Sequence, residues 1–289
     1  MKFSGTILVV LAAMLWGISG GLADILLHKG WSPLVISFYR GAVGFVCIFA
    51  WFLLRLRKTG SPTVRLFVWA GLAGAGVAGN FTFYFLSIEA SSVAIAATLM
   101  YTAPIFVFLI SFFLRQEAST FFKWGCIAVV LVGIFLLTGA YDTGGSTVTL
   151  AGAAAGLGAG LSYALFIFGF KYASAAGRPE TILTIAFFIF CVLLLLFIDR
   201  QEAASVLASS DVGWFLLLGL VGAGISFVLY IIGIKRTTPV TASMVAMAEP
   251  VTASLFGVVL LGDSLTIIQA AGIAIILLSI TAFSVRQSA

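Results

Sequence analysis

The sequence predicts an all-α integral membrane protein, in which ten transmembrane helices form two five-helix repeats of inverted topology around a central cavity. Three observations carry this expectation. Of 289 residues, 62% are hydrophobic and only 9% are charged, whereas a soluble domain carries about 25% charged residues. The apolar residues gather into ten runs, each near the roughly 20 residues a helix needs to cross the hydrocarbon core. A set of short motifs also recurs once, 146 to 148 residues downstream.

In chain order, the first run is Ser4–Ala23. One preceding Lys and an internal Trp16–Gly17 argue against a cleaved signal peptide, so it stays as a helix. The second, Leu34–Leu54, is interrupted only by Arg40. Leu66–Ile88, Ala90–Leu114 and Trp124–Tyr141 are uncharged and complete the first repeat, residues 1–141. The second repeat, residues 142–289, holds Thr143–Phe170, Thr181–Ile198, Val212–Ile234, Pro239–Leu261 and Ser264–Val285, with Glu249 inside the fourth of these.

Orientation follows from Lys and Arg placement. Lys2, Arg55, Arg57, Lys58, Arg65, Arg115, Lys123, Lys171, Arg178, Lys235, Arg236 and Arg286 fall on one side, and only Lys29 and Arg200 on the other. Both termini are therefore expected in the cytoplasm. The net charge of +5 is loop charge. No basic run exists to hold nucleic acid.

The repeat is explicit. "GLAGAG" at Gly71–Gly76 returns as "GLVGAG" at Gly219–Gly224, Tyr84 as Tyr230, and "AIAATLMYTAPIF" aligns with "VTASMVAMAEPVT". Trp16 falls opposite Tyr163. Five spans per copy is an odd number, so the second copy enters the bilayer upside down. The loop "SIEASS" after the third span is acidic, and its counterpart "GIKRTTP" is basic, as an inversion requires. Inverted repeats mark secondary transporters, with the substrate site near the midplane between the halves.

"MAEPVTASLFGVVLLGDSLTIIQAAGIAIILLSI" and "YTAPIFVFLISFFLRQEASTFFKWGCIAVVLVGIFLL", with the five-plus-five plan, resemble the drug/metabolite transporter superfamily, EamA type. The resemblance covers nearly the whole chain. Within the superfamily the chain looks most like the YddG-type aromatic amino acid exporters. The resemblance implies a basket-shaped exporter of small metabolites in a bacterial inner membrane. Spans one to four and six to nine would line its cavity, and spans five and ten would sit behind.

Two prolines recur at the same place, Pro104 and Pro250. A proline removes one helix hydrogen bond and crowds the carbonyl four residues back, here on Met100 and Ala246. A freed carbonyl is costly unless it faces protein or water, so both prolines are expected on the cavity side, as hinges together with Gly76 and Gly224. A kink needed only for packing is the alternative. Glu249 sits at the same depth, where the first copy has Ala103. Three roles are open: a protonated carboxyl holding the kinked helix, a proton-coupling group, or a contact for a substrate ammonium. Arg40 is the other intramembrane charge. It is expected to pair with Asp24 on the first span, with a substrate carboxylate as the alternative.

Trp31, Trp51, Trp69, Trp124 and Trp214 lie near span ends and form an interfacial belt. Deeper lie Trp16, Tyr39, Tyr84, Tyr101, Tyr163 and Tyr230. A mid-helix hydroxyl finds no partner in lipid, so several of these are expected around a cavity, together with Met244 and Glu249. Asn80, Ser226, Ser243 and Thr98 add hydrogen-bonding groups. Few charges and many aromatic rings suit an aromatic or amphipathic solute better than a sugar phosphate. Rival solutes are a cationic drug, a nucleoside or a neutral metabolite.

Other chemistry is poorly supplied. An enzyme would need paired carboxylates, Ser with His or Lys, or a metal cluster; the chain offers one deep Glu and a single His, His28. No metal or cofactor is expected. Cys47, Cys126 and Cys191 read as buried free thiols. "GAGVAG" at Gly74–Gly79 matches a nucleotide-binding pattern but sits in an uncharged membrane run with no strand before it. Gly152, Gly156 and Gly160 at four-residue spacing would let helices approach closely. Glu117, Asp142 and Asp263 lie at span ends, where helix capping is expected. A passive channel remains the alternative to a carrier.

Overall fold

The computed structural model describes residues 2–55, 63–142 and 149–288. Arg57 and Lys58, counted above toward the charge asymmetry, and Thr143, the expected start of the sixth span, lie outside them. The first half runs α1 (Lys2–His28), α2 (Pro33–Arg55), α3 (Val64–Ala90), α4 (Val93–Met100), α5 (Ala103–Phe113) and α6 (Phe121–Thr138). The second half runs α7 (Leu150–Ala176), α8 (Pro179–Leu194), α9 (Arg200–Val206), α10 (Val212–Gly219), α11 (Ser226–Lys235), α12 (Pro239–Val245), α13 (Ala248–Phe256) and α14 (Ile267–Ser288). Wide π turns join α10 to α11 over Leu220–Ile225 and extend α13 over Gly257–Leu261.

Among the described residues nine helical segments are long and apolar enough to cross a membrane, and α8 is a shorter apolar helix of 16 residues. These are the ten expected spans, with the fourth split into α4 and α5 and the ninth into α12 and α13. The seventh is shorter than expected. Its helix ends at Leu194, and the chain turns through Ile198 into α9, a short helix that hydropathy alone does not reveal. Asp199 caps it by accepting from the Gln201 and Glu202 amides.

Starts are set by hydroxyls. Thr63, Ser92, Thr120, Thr149 and Thr238 each accept a hydrogen bond from the amide three residues on, satisfying a donor that the first turn leaves free. The acidic caps expected at Glu117 and Asp263 are not formed. Glu117 pairs with Lys123 at 2.5 Å, while Thr120 caps α6. Asp263 follows the π turn, its amide donating to Gly257 O.

The fifth and tenth spans, α6 and α14, pair with each other. A Cβ on Gly272 would lie 2.7 Å from Gly133 O, so only glycine permits this approach. Ser279 adds a hydrogen bond to Cys126 O at 2.9 Å. α7 lies along α3 and α4, and Gly152, Gly156 and Gly160 meet Ala90, Leu99 and Met100 as the spacing predicts. Cys126 is buried, but Cys47 is exposed and Cys191 is half-buried, so the expectation of three buried thiols holds for one.

A central cavity sealed on one side

A cavity of about 300 Å³ lies inside the bundle. α1 contributes Trp16, Gly17, Gly20, Ala23, Asp24 and Leu27; α2 contributes Pro33, Ile36, Ser37 and Arg40. Asn80, Phe81, Tyr84 and Phe85 come from α3, Val93, Met100 and Tyr101 from the fourth span, and Glu249 and Ala253 from α13. Leu27, Pro33, Phe85 and Val93 stand where α1 gives way to α2 and α3 to α4. The cavity thus reaches from the middle of the bundle to the face away from the termini. α6 and α14 contribute nothing to it, as expected for helices at the back. The walls come from the first half plus α13; the remaining spans of the second half do not line it.

The break in the ninth span positions Glu249. Ahead of Pro250 the Glu249 amide turns back to Ala246 O at 2.9 Å, and the Met247 amide to Met244 O at 3.2 Å. This tight turn restarts the helix at Ala248 and places Glu249 in the first turn of α13, where the helix dipole favours a carboxylate. The expected open carbonyl at Ala246 is therefore occupied. Pro104 and Pro250 are both buried away from the cavity wall, among packed helices. The residue beside the proline, not the proline, faces the cavity. α1 lies so close here that a Cβ on Gly17 would sit 2.5 Å from Glu249 O. From behind, the Tyr163 hydroxyl donates to Glu249 Oε2 at 3.3 Å.

Arg40 does not pair with Asp24. Its Nε donates to Gly222 O at 3.3 Å, in the π turn, and its guanidinium lies 5.1 Å from the Phe81 ring centre. Asp24 stands nearer the mouth, its side chain 44% exposed, with His28 Nδ1 at 3.5 Å. The pair fails because Arg40 is drawn sideways to a backbone carbonyl that the glycine brings within reach.

The other expected site residues divide into three groups. Tyr84, Tyr101 and Asn80 line the cavity beside Trp16, and Asn80 Nδ2 also donates to Ala159 O at 3.0 Å. Tyr163 reaches the cavity through Glu249. Tyr39, Met244, Thr98 and Ser243 are elsewhere. Tyr39 points outward from α2, donates to Ala203 O at 2.7 Å and packs on Phe215. It belongs to a cap in which Asp211 accepts from Trp31 Nε1 at 3.0 Å and pairs with Lys29 at 2.8 Å, and Glu202 accepts from the Ser32 amide at 2.6 Å. The Lys29 and Trp31 contacts hold the Asp211 carboxyl below the usual carboxylate range. Met244 is fully buried in the core. Thr98 bonds Thr138 at 2.7 Å, and Ser243 bonds Val240 O at 2.9 Å.

Ser226 and Tyr230 form the third group, under the cavity floor. The Trp16 ring lies 5.0 Å from Tyr230 and 5.1 Å from Phe227, and Phe187 lies 4.9 Å from Phe227. Phe166 and Phe170 complete this aromatic seal. Three polar atoms in it, Trp16 Nε1, Ser226 Oγ and Tyr230 Oη, are buried without a hydrogen-bond partner among the described residues. Closer to the face that carries the termini, Lys171 Nζ donates to Thr237 O at 2.6 Å, Ile234 O at 3.0 Å and Lys235 O at 3.3 Å. That clamp ties the end of α7 to the turn between α11 and α12.

Phe81 and Lys171 were not singled out from the sequence. Phe81 was within reach: "NF" at Asn80–Phe81 stands four residues before Tyr84, and "SF" at Ser226–Phe227 four before Tyr230. One copy of this motif lines the open cavity and the other fills the seal. Lys171 carries no such signal, because its partners are backbone carbonyls.

The model of the EamA-like transporter family matches the chain twice, over residues 3–139 and 150–285. A transporter of Bacillus subtilis, YwfM, is 24% identical over 282 residues, covering 96% of this chain and 93% of its own. The threonine/homoserine exporter RhtA of Escherichia coli K12 is 29% identical, and that of Salmonella typhimurium LT2 is 32% identical over 273 residues; each comparison covers 91% of this chain and 85% of the relative. A solved structure superimposes with a TM-score of 0.74 over the whole of both chains at 20% identity, which speaks for the fold alone.

Proposed function

This chain belongs to the EamA-like transporter family, and from that premise we propose that it exports an amino acid, with aromatic side chains first, by alternating access. The observation that carries the reading is the asymmetry of the cavity. One copy of the Asn/Ser–Phe–Tyr motif lines a space open to one face, and its repeat mate is packed shut toward the other. Two copies of one fold can exchange these arrangements at similar energy. In the exchanged state Ser226 and Tyr230 line a cavity open to the opposite face, and their unpartnered polar atoms meet water or substrate. The cavity is near the lower end of small-molecule pockets, which fits one small metabolite.

In this reading the termini and the basic loops face the cytoplasm of a bacterium, across its inner membrane, and the state described is outward-open. Gly224 and the π turn around it, with the breaks at Pro104 and Pro250, are the places where the halves flex. A seal of packed rings argues for a carrier over a passive channel. Aromatic walls favour an aromatic side chain. The names of the RhtA relatives favour a small polar amino acid as the second reading. In this reading proton coupling would run through Glu249, the carboxylate that lines the cavity and accepts from the Tyr163 hydroxyl. A Glu249→Gln protein that keeps both its export rate and its pH dependence removes coupling from the account.

Counterflow tests the function. Liposomes holding the protein are loaded with unlabelled phenylalanine, tryptophan, threonine, homoserine or alanine, and uptake of trace labelled amino acid is followed without an ion gradient. A transient overshoot supported best by the aromatic pair is the expected result. An overshoot with threonine and homoserine alone moves the assignment to the second reading. No overshoot with any of the five, in correctly folded protein, removes the amino acid reading.

A further inference from the structure

We propose that Arg40 and Glu249 grip the two charges of an amino acid head group, the guanidinium taking the α-carboxylate and the carboxylate the α-ammonium. The inference rests on the amino acid reading above and names the groups that would perform it.

The geometry points there in four steps. Both residues lie within membrane-spanning segments, and both line the same cavity of about 300 Å³. They come from opposite halves of the repeat, α2 and α13, so a ligand held by both is held at the interface where the halves move. They do not meet as a contact ion pair. No ion pair within 4.0 Å joins them among the described residues, yet each lies within electrostatic reach of the other. Each is fixed from behind with its working atoms left over. Arg40 donates from Nε to Gly222 O and lays its guanidinium over Phe81, and its two terminal nitrogens have no hydrogen-bond partner among the described residues. Glu249 Oε2 takes the Tyr163 hydroxyl, and Oε1 has no hydrogen-bond partner among the described residues.

A separated cation and anion inside a bilayer are costly unless something bridges them. A zwitterion carries the matching pair on one carbon and offsets both. A guanidinium also suits a carboxylate better than an ammonium would, because it donates two parallel hydrogen bonds. Asp24 stands at the mouth with His28 and is not part of the grip. The head group would then sit against the floor, near Trp16 and Tyr101, with the side chain among Phe81, Tyr84 and Phe85.

The test compares ligands that lack one charge. Binding of L-phenylalanine, L-threonine, phenethylamine (no carboxylate) and 3-phenylpropionate (no ammonium) is measured by calorimetry on the purified full chain. Wild-type protein is expected to prefer the amino acids over either analogue by about tenfold or more, the scale of one charge-assisted hydrogen bond. Arg40→Gln should weaken the amino acids and phenylpropionate about tenfold and leave phenethylamine unchanged. Glu249→Gln should weaken the amino acids and phenethylamine and leave phenylpropionate unchanged. That crossed pattern does not arise if the two residues act only through the fold. Equal losses for all ligands in both variants, or a wild-type protein that binds phenethylamine as tightly as phenylalanine, overturn the grip while leaving an amino acid carrier in place. If counterflow finds no amino acid carried, the reading beneath it fails first and takes the grip with it. The wild-type ligand series needs no variant and decides the matter even where Arg40→Gln fails to fold.

Discussion

Trp16 on α1 and Tyr230 on α11 hold their rings 5.0 Å apart across the two halves of the protein, one at the floor of the cavity and the other in the seal beneath it. Trp16 touches the cavity; Tyr230 is fully buried, its hydroxyl without a partner among the described residues. The contact therefore marks the boundary between the open and the closed side. A hydroxyl buried without a partner costs about 1–3 kcal/mol, and such a cost persists where another state needs the group.

Tyr230→Phe removes that hydroxyl while keeping the ring. The expected outcome is a gain of about 1 kcal/mol in the stability of the state described above, read as raised thermal stability in detergent, together with slower exchange. Lowered stability would mean that the hydroxyl is satisfied by a group or water in the seal.

Lys171→Met removes three hydrogen bonds that close the basic face. The state sealed there should lose population. A cysteine at Thr238, in a background without Cys47, Cys126 and Cys191, should then react faster with a thiol reagent added from that face. Unchanged reactivity would show that the aromatic seal alone keeps the face closed.

Gly17→Val places side-chain carbon against Glu249 O, where even a Cβ would stand at 2.5 Å. α1 and α13 must part, at a cost of about 1–3 kcal/mol, and Glu249 moves with α13. Exchange should fall more steeply than stability. Gly71→Val, at a position with open space around it, serves as the control and should keep most of its exchange.

The cap built on Lys29, Trp31 and Asp211 should respond to acid. Lys29 and Trp31 depress the folded-state pKa of Asp211, so its contribution to stability is present above the unfolded value near 3.9 and is lost as pH falls through the lower folded value. Thermal stability of the wild-type protein should drop over that acidic window. Asp211→Asn should drop less there and be less stable at neutral pH. Parallel curves would remove Asp211 from the acid response.

Hydropathy and the repeat made the ten spans and the inverted halves legible, and the family resemblance implied the place of α6 and α14 at the back. Glu249, Trp16, Tyr84, Tyr101 and Asn80, which line the cavity, were legible as candidates because each is anomalous for its depth. What escaped was governed by helix phase. Tyr39 lies one position before Arg40, so it points about 100° away and anchors to α9 instead. The prolines were placed in the right helices, but their own faces pack while the adjacent carboxylate turns to the cavity. Arg40 found a backbone carbonyl rather than Asp24, and no pairing rule based on charge anticipates a carbonyl.

Alternating access is tested most directly by following both sides of the seal at once. Ala23→Cys reports on the open cavity and Ser226→Cys on the closed half, each in the cysteine-free background and in oriented proteoliposomes. The two should react in opposition: conditions that raise labelling of Ser226→Cys from the basic face should lower labelling of Ala23→Cys from the other, with transported amino acid shifting both together. Simultaneous reactivity from the two faces, unaffected by substrate, would contradict the account and describe a pore.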